Sequence, residues 1–184
     1  VIEEELTLGS PLSRMLSVHR GRLSLLPKLS ALVAISREIR ERLIALHVPE
    51  DKIVELPLCG VDTVEFHPLD AAESKGEARR ALGLADRPSC VFAGHIVPRK
   101  RPDLLIPAIA EVKKRGIDCQ VILAGPEEDE AYGQKMRRDA ENLGVSDRVV
   151  WLGFTERMSA LMRASDVLAL PSTSEGLPGV IMEA

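Results

Sequence analysis

Aromatic side chains are scarce in this sequence: three Phe, one Trp and one Tyr in 184 residues, 3% of the total. Proteins that grip single-stranded nucleic acid stack successive bases on such rings, so that class is disfavoured. An excess of positive charge is lacking too. Lys and Arg number 24 against 28 Asp and Glu, a formal net charge of −4, which provides no basic field for wholesale nucleic-acid binding. No apolar run approaches the ~18–20 residues that a membrane-spanning helix needs. The opening Val-Ile-Glu-Glu-Glu has no basic flank, unlike a secretion signal. The cysteines are only three, Cys59, Cys90 and Cys119, and form no CxxC pair. Neither a zinc site nor a disulfide framework is therefore expected, and a reducing, cytoplasmic setting fits. The dinucleotide fingerprint GxGxxG, the P-loop GxxxxGK[ST], the nucleophile elbow GxSxG and the zinc motif HExxH are all absent from the sequence. Val1 is not Met, and the last residues sit inside a helical pattern, so the sequence reads as a fragment cut at both ends.

What remains is ordinary for a globular protein: 45% hydrophobic and 28% charged residues. From residue 85 onward the pattern alternates. Short apolar runs at Pro88–Gly94, Cys119–Gly125, Arg148–Gly153 and Asp166–Pro171 read as buried strands. Between them, helices are expected over Pro102–Arg115, Glu130–Leu143 and Glu156–Ala164, the last capped by Thr155, with another starting at Pro178. Uniformly apolar strands alternating with helices predict a parallel sheet covered on both faces, an α/β doubly wound, Rossmann-like domain. Earlier in the chain, Leu32–Ser36 and Lys52–Leu56 read as strands around a helix Arg37–His47 capped by Ser36. Residues 57–70 carry Pro and Gly punctuation and read as a linker. Residues 1–56 are then the end of a preceding domain and 71–184 a second, incomplete one. Residues 10–29 mix Arg14, His19, Arg20, Arg22 and Lys28 with leucines. That is either a solvated helix face or a basic amphipathic helix that touches anionic lipid as a peripheral membrane contact.

Ligands of a doubly wound sheet bind beyond the carboxyl ends of its strands. Four loops lie there. The first, Gly94–Arg101, places His95, Arg99, Lys100 and Arg101 ahead of a helix, which suits an anion, although surface loops also carry such residues. The second carries Glu127, Glu128, Asp129 and Glu130, read as partners of a helix dipole in preference to a metal site. The third exposes Phe154, either under a nucleobase or packed on a neighbouring helix. The fourth runs from Pro171 to Ala184 and holds Glu175 and Glu183, with Gly176 and Gly179 between them. Glycines there let a ligand approach the backbone, and side chains on a helix lean back toward its start, so Glu183 is able to face the same crevice. Phosphate suits the helix N-terminus and Lys100, whereas the two carboxylates suit sugar and ribose hydroxyls. Each acid has a plainer reading as a loop surface residue or a first-turn dipole partner.

The segments LVAISREIRERL, IVELPLCGVDTVEFHP, VFAGHIVPRKRPDLLIPAI, VILAGP, RVVWLGF, ASDVLALPS and EGLPGVIMEA follow one another in an order that resembles glycosyltransferase family 4, a family with the GT-B fold, over roughly residues 31–184. The resemblance implies a retaining, metal-independent transfer from a nucleotide-activated sugar to a saccharide or lipid-linked acceptor, with no cofactor. It assigns Lys100 to the diphosphate and Glu175, with the amides of Gly176 and Leu177, to the sugar. Glu183 falls to the ribose, and His95, Arg99, Phe154 and Gly179 complete the donor-binding set. Lys100 and Glu175 are the residues expected to act on the reaction itself, by stabilising charge on the leaving group and holding the anomeric centre. Polysaccharide, lipopolysaccharide or glycolipid is the expected product class. Four features depart from the family pattern: His95 stands where Arg is usual, Arg101 where Gly is usual, the hinge reads Leu-Cys-Gly where Asn-Gly is usual, and Pro178 removes an N–H from the sugar-binding turn. Two alternatives remain: a GT-B-fold sugar-nucleotide epimerase, and a binding module without turnover.

Overall fold

The computed structural model describes residues 29–56, 60–69, 74–175 and 177–184. The basic stretch 10–29, apart from Leu29, lies outside the described residues, as do Cys59, Asp70 and Gly176. Two compact units divide the chain. One comprises the described residues up to Gly60 together with Ser174–Gly179; the other is Val61–Thr173 with Val180–Ala184.

In the first unit, strands β1 (Leu32–Ala34) and β2 (Ile53–Glu55) pair in parallel, Leu32 opposite Ile53. Helix α1 (Arg37–Ala45) connects them, and the Ser36 side chain accepts a hydrogen bond from the Ile39 amide, as the capping pattern predicts. Ala34, Leu43, Val48 and Ile53 form its small core.

The second unit opens with α2 (Lys75–Ala81), a helix that the strand-focused reading of the sequence passes over. Ser74 and Glu77 close a reciprocal capping box at its start. Strands β3 (Ser89–Ala93), β4 (Gln120–Ala124), β5 (Val149–Gly153) and β6 (Val167–Leu168) form one sheet in the order β5-β4-β3-β6, all parallel. Helices α3 (Leu105–Lys114), α4 (Glu130–Asn142), α5 (Met158–Ala164) and α6 (Gly179–Glu183) complete the chain. Side chains alternate across the sheet. Phe92, Val121 and Leu123 join Ile106, Ile109, Met136 and Ala140 of α3 and α4 in one core. Val91, Ile122 and Ala124 join Leu84 and Leu161 in another. Both faces are covered, which is why β4 is buried at every residue. Each large side chain taken fully from water contributes about 1.5–3 kcal/mol. The one polar residue of β4, Gln120, spends its amide on the Ala85 carbonyl and the Ser89 hydroxyl, both at 2.8 Å.

Several boundaries differ from the sequence reading. The helix expected from Pro102 starts as a 3-10 turn, Pro102–Leu104, and becomes α-helical only at Leu105. Arg101 is left-handed there (φ 53°), and Pro107 has no N–H with which to close an α-turn on Asp103. The helix expected from Glu156 starts at Met158; Thr155 accepts the Arg157 amide at 3.1 Å in a local turn and caps nothing. β6 has only two ladder residues where six were expected. No helix among the described residues is long and apolar enough to cross a membrane.

Candidate active site

Chain order reverses direction in this sheet at β3: β4 and β5 extend to one side and β6 to the other. Loops leaving two neighbouring strands in opposite directions open a crevice at their carboxyl tips. Here those loops follow β3 and β6, and they carry the first and fourth segments singled out above.

The β3 tip is built around two glycines. Gly94 (φ 150°) and Gly125 (φ 142°) both have positive φ, and a Cβ added to Gly125 would lie 2.0 Å from the Gly94 carbonyl oxygen. Only glycine permits that approach. Beyond the glycines the strand pairing continues: the Gly94 amide donates to the Ala124 carbonyl, Gly125 to Gly153, and Ile96 to Pro126, at 2.8–2.9 Å. Lys100 folds back over this tip. Its Cδ is 3.3 Å and its Nζ 3.6 Å from the position a Gly94 Cβ would take, so the ammonium sits at the carboxyl edge of the sheet. Thr173, after β6, donates its amide (3.0 Å) and its hydroxyl (3.1 Å) to the Arg99 carbonyl. The two loops that flank the crevice are thereby tied together.

His95 extends from the same tip and pairs through Nδ1 with Glu128 Oε1 at 2.5 Å. Phe154 is 74% exposed; the packed alternative does not occur, and its ring is open at the tip of β5. Of the other acids in the second loop, Asp129 caps α4 by accepting the Tyr132 amide. Glu127 pairs with Arg137 at 2.8 Å, and Arg137 stacks over Trp151 with its guanidinium carbon 4.1 Å from the ring centre. These acids serve the fold, and among the described residues no cluster is able to hold a metal ion.

Asp103 anchors the base of the first loop. It accepts from Arg101 Nε at 3.1 Å and from the Tyr132 hydroxyl at 2.5 Å. Burial pushes the Asp103 carboxyl up, but the Tyr132 and Arg101 bonds outweigh it and hold it below the usual carboxylate range. Burial, reinforced by the bond to Asp103, raises the Tyr132 phenol well above its ordinary value. Cys90 and Cys119 are free thiols, both raised chiefly by burial.

Glu175, Leu177 and Gly179 are half-buried and belong to the segment that clusters with the first unit. Gly176 lies outside the described residues. Glu183, at the end of α6, borders a cavity of about 460 Å³ shared with His67, Lys75, Arg163 and Asp166. The structure thus brings His95, Arg99 and Lys100 together on one loop, stitched to Thr173. Sequence reasoning missed Thr173 and Ser172. The Ser172 hydroxyl is buried beside this junction without a hydrogen-bond partner among the described residues. The run Pro-Ser-Thr-Ser after β6 was the available signal.

Residues 74–184 match the family described as glycosyl transferases group 1. The chain is 33% identical over 144 residues to a GDP-mannose-dependent alpha-(1-6)-phosphatidylinositol monomannoside mannosyltransferase of Mycolicibacterium smegmatis, a match covering 77% of this chain and 36% of the relative. It is 36% identical over 149 residues to a D-inositol 3-phosphate glycosyltransferase of Mycobacterium sp. (strain KMS), covering 78% and 32%. The chain therefore spans about a third of the length of these relatives. Among solved structures, Anabaena Alr3699/HepE in complex with UDP-glucose superposes with a TM-score of 0.77 at 23% identity, over 95% of this chain and 47% of that one. WaaG, a glycosyltransferase involved in lipopolysaccharide biosynthesis, gives 0.72 at 20% identity, over 94% and 48%. Both likenesses are of fold, and the parallel sheet described above is that of GT-B proteins.

Proposed function

Because this chain belongs to the group 1 glycosyl transferases, we propose that it carries the nucleotide-sugar site of an enzyme that transfers a sugar, with retention and without a metal ion, to a saccharide or lipid-linked acceptor. Lys100 and Arg99 neutralise the diphosphate, Phe154 offers a face to the base, and Glu183 takes the ribose. Glu175, with the amides of Gly176 and Leu177, holds the sugar hydroxyls, and Gly179 lets the sugar approach the start of α6. Bond breaking at the anomeric carbon leaves charge on the diphosphate, so a fixed ammonium there stabilises the transition state more than the ground state. The observation that carries this reading is the Lys100 ammonium folded over the Gly94 tip, beside the point where chain order reverses.

The first test is binding of UDP and GDP by calorimetry. Lys100→Ala is expected to weaken the nucleotide that binds by roughly ten- to a hundredfold, the worth of a lost charge-assisted contact. Equal affinity in wild type and variant would overturn the assignment. Turnover of UDP-glucose or GDP-mannose in the presence of a chelator tests metal independence. The anomeric configuration of the product, read by NMR, tests retention.

A further inference from the structure

Building on that reading, we propose that Glu128 is a positioning residue for the donor. It holds His95 by Nδ1 so that Nε2 presents a second N–H to the diphosphate, and the site takes up a proton from solvent as the donor binds.

The pair is built by backbone, not by chance approach of two long side chains. His95 and Glu128 lie on adjacent extended segments, beyond the Gly94 and Gly125 contact, where the Ile96 amide donates to Pro126 and Ile96 bridges Glu127 in parallel. A carboxylate only accepts, so the 2.5 Å contact puts a hydrogen on Nδ1. That leaves Nε2 for a ligand, and among the described residues it has no hydrogen-bond partner. In a neutral ring Nε2 is a lone pair, which repels phosphate oxygen. In the doubly protonated ring it is a charged donor.

The other charged groups on the flanking segments are Arg99 and Lys100 on the same loop, Arg101 paired with Asp103, Glu127 paired with Arg137, and the capping Asp129. The formal charges of Arg99, Lys100, His95 and Glu128 sum to one positive charge with a neutral ring and to two with an imidazolium. A diphosphate diester brings two negative charges, so its binding favours the protonated ring. The dyad thus couples donor affinity to proton uptake.

Calorimetry of UDP-glucose and GDP-mannose, in two buffers of different ionisation enthalpy at about pH 7.5, reads that proton directly. Both probes are diesters whose phosphates stay ionised near neutrality, so any proton taken up belongs to the protein. The wild type is expected to show a buffer-dependent enthalpy equivalent to a fraction of a proton, and His95→Arg to bind with none. Glu128→Gln is expected to weaken the donor about two- to fivefold with His95 present and not to weaken it in the His95→Arg background. Binding with buffer-independent enthalpy, or the same weakening in both backgrounds, overturns the dyad while leaving the donor site standing. Absence of binding by both probes overturns the donor site and the dyad with it.

Discussion

A single methyl group decides the geometry of the β3 tip. Gly125→Ala would push a carbon onto the Gly94 carbonyl oxygen at positive φ, and is expected to cost about 2–4 kcal/mol. Gly83 also has positive φ (69°) but faces open space, so Gly83→Ala should cost only about 1–2 kcal/mol. Denaturant midpoints of the two variants compare them. Asp166 offers a test in pH. Burial pushes its carboxyl up, yet the Ser89 amide, Lys75 and Arg79 outweigh burial and hold it below the ordinary value. A depressed folded pKa contributes stability above the unfolded value, lost as pH falls through the folded one. Asp166→Asn is therefore expected to destabilise at pH ~7, and its deficit in urea titrations to shrink only as pH falls below the ordinary carboxylate range. Lys100 was readable in the sequence because a cation before a helix start is a local pattern. The partnership of His95 with Glu128 was not, because 33 residues separate them and only the register of β3 on β4 brings them side by side. Read locally, Glu128 is one more acid before a helix.

Strand positions were readable because four apolar runs cannot be placed anywhere but in a covered sheet, and their periodicity is local information. Helix starts were less so. Ser36 caps as the sequence reading expects, and Ser74 and Asp129, not singled out there as caps, also cap, whereas Thr155 is diverted into its own turn. Ser74→Ala removes the hydroxyl that accepts the Glu77 amide, while the backbone N–H of residue 74 still donates to the Glu77 carboxylate, and is expected to cost about 1 kcal/mol in equilibrium unfolding. The 3-10 entry to α3 depends on Arg101, whose left-handed backbone is offset by its side-chain bond to Asp103. Arg101→Gly relieves the backbone and loses that bond, two effects of about 1 kcal/mol each. Its net change in stability should therefore be small, with looser packing at Tyr132 seen in ring fluorescence. The brevity of β6 was hidden because its apolar run, DVLALP, continues past the last ladder pair into loop.

Across the molecule the two units carry cores of unequal size. Among the described residues, four buried apolar side chains serve the first, while two larger clusters sandwich the sheet of the second. Local stability follows buried contact, so hydrogen exchange is expected to be faster by orders of magnitude in β1 and α1 than in β4. Equal protection would mean that the first core draws support from elsewhere. The order β5-β4-β3-β6 was not written in the strands themselves; it emerges when right-handed crossovers and the β3–β6 pairing are combined. That order places the return of the chain from β6 against the loop carrying Lys100, and one carbonyl fastens it. Since both Thr173 bonds end on the oxygen of residue 99, and the next amide belongs to Lys100, rotation of that one peptide plane would unlatch the returning strand and reorient the cation's own backbone in the same motion.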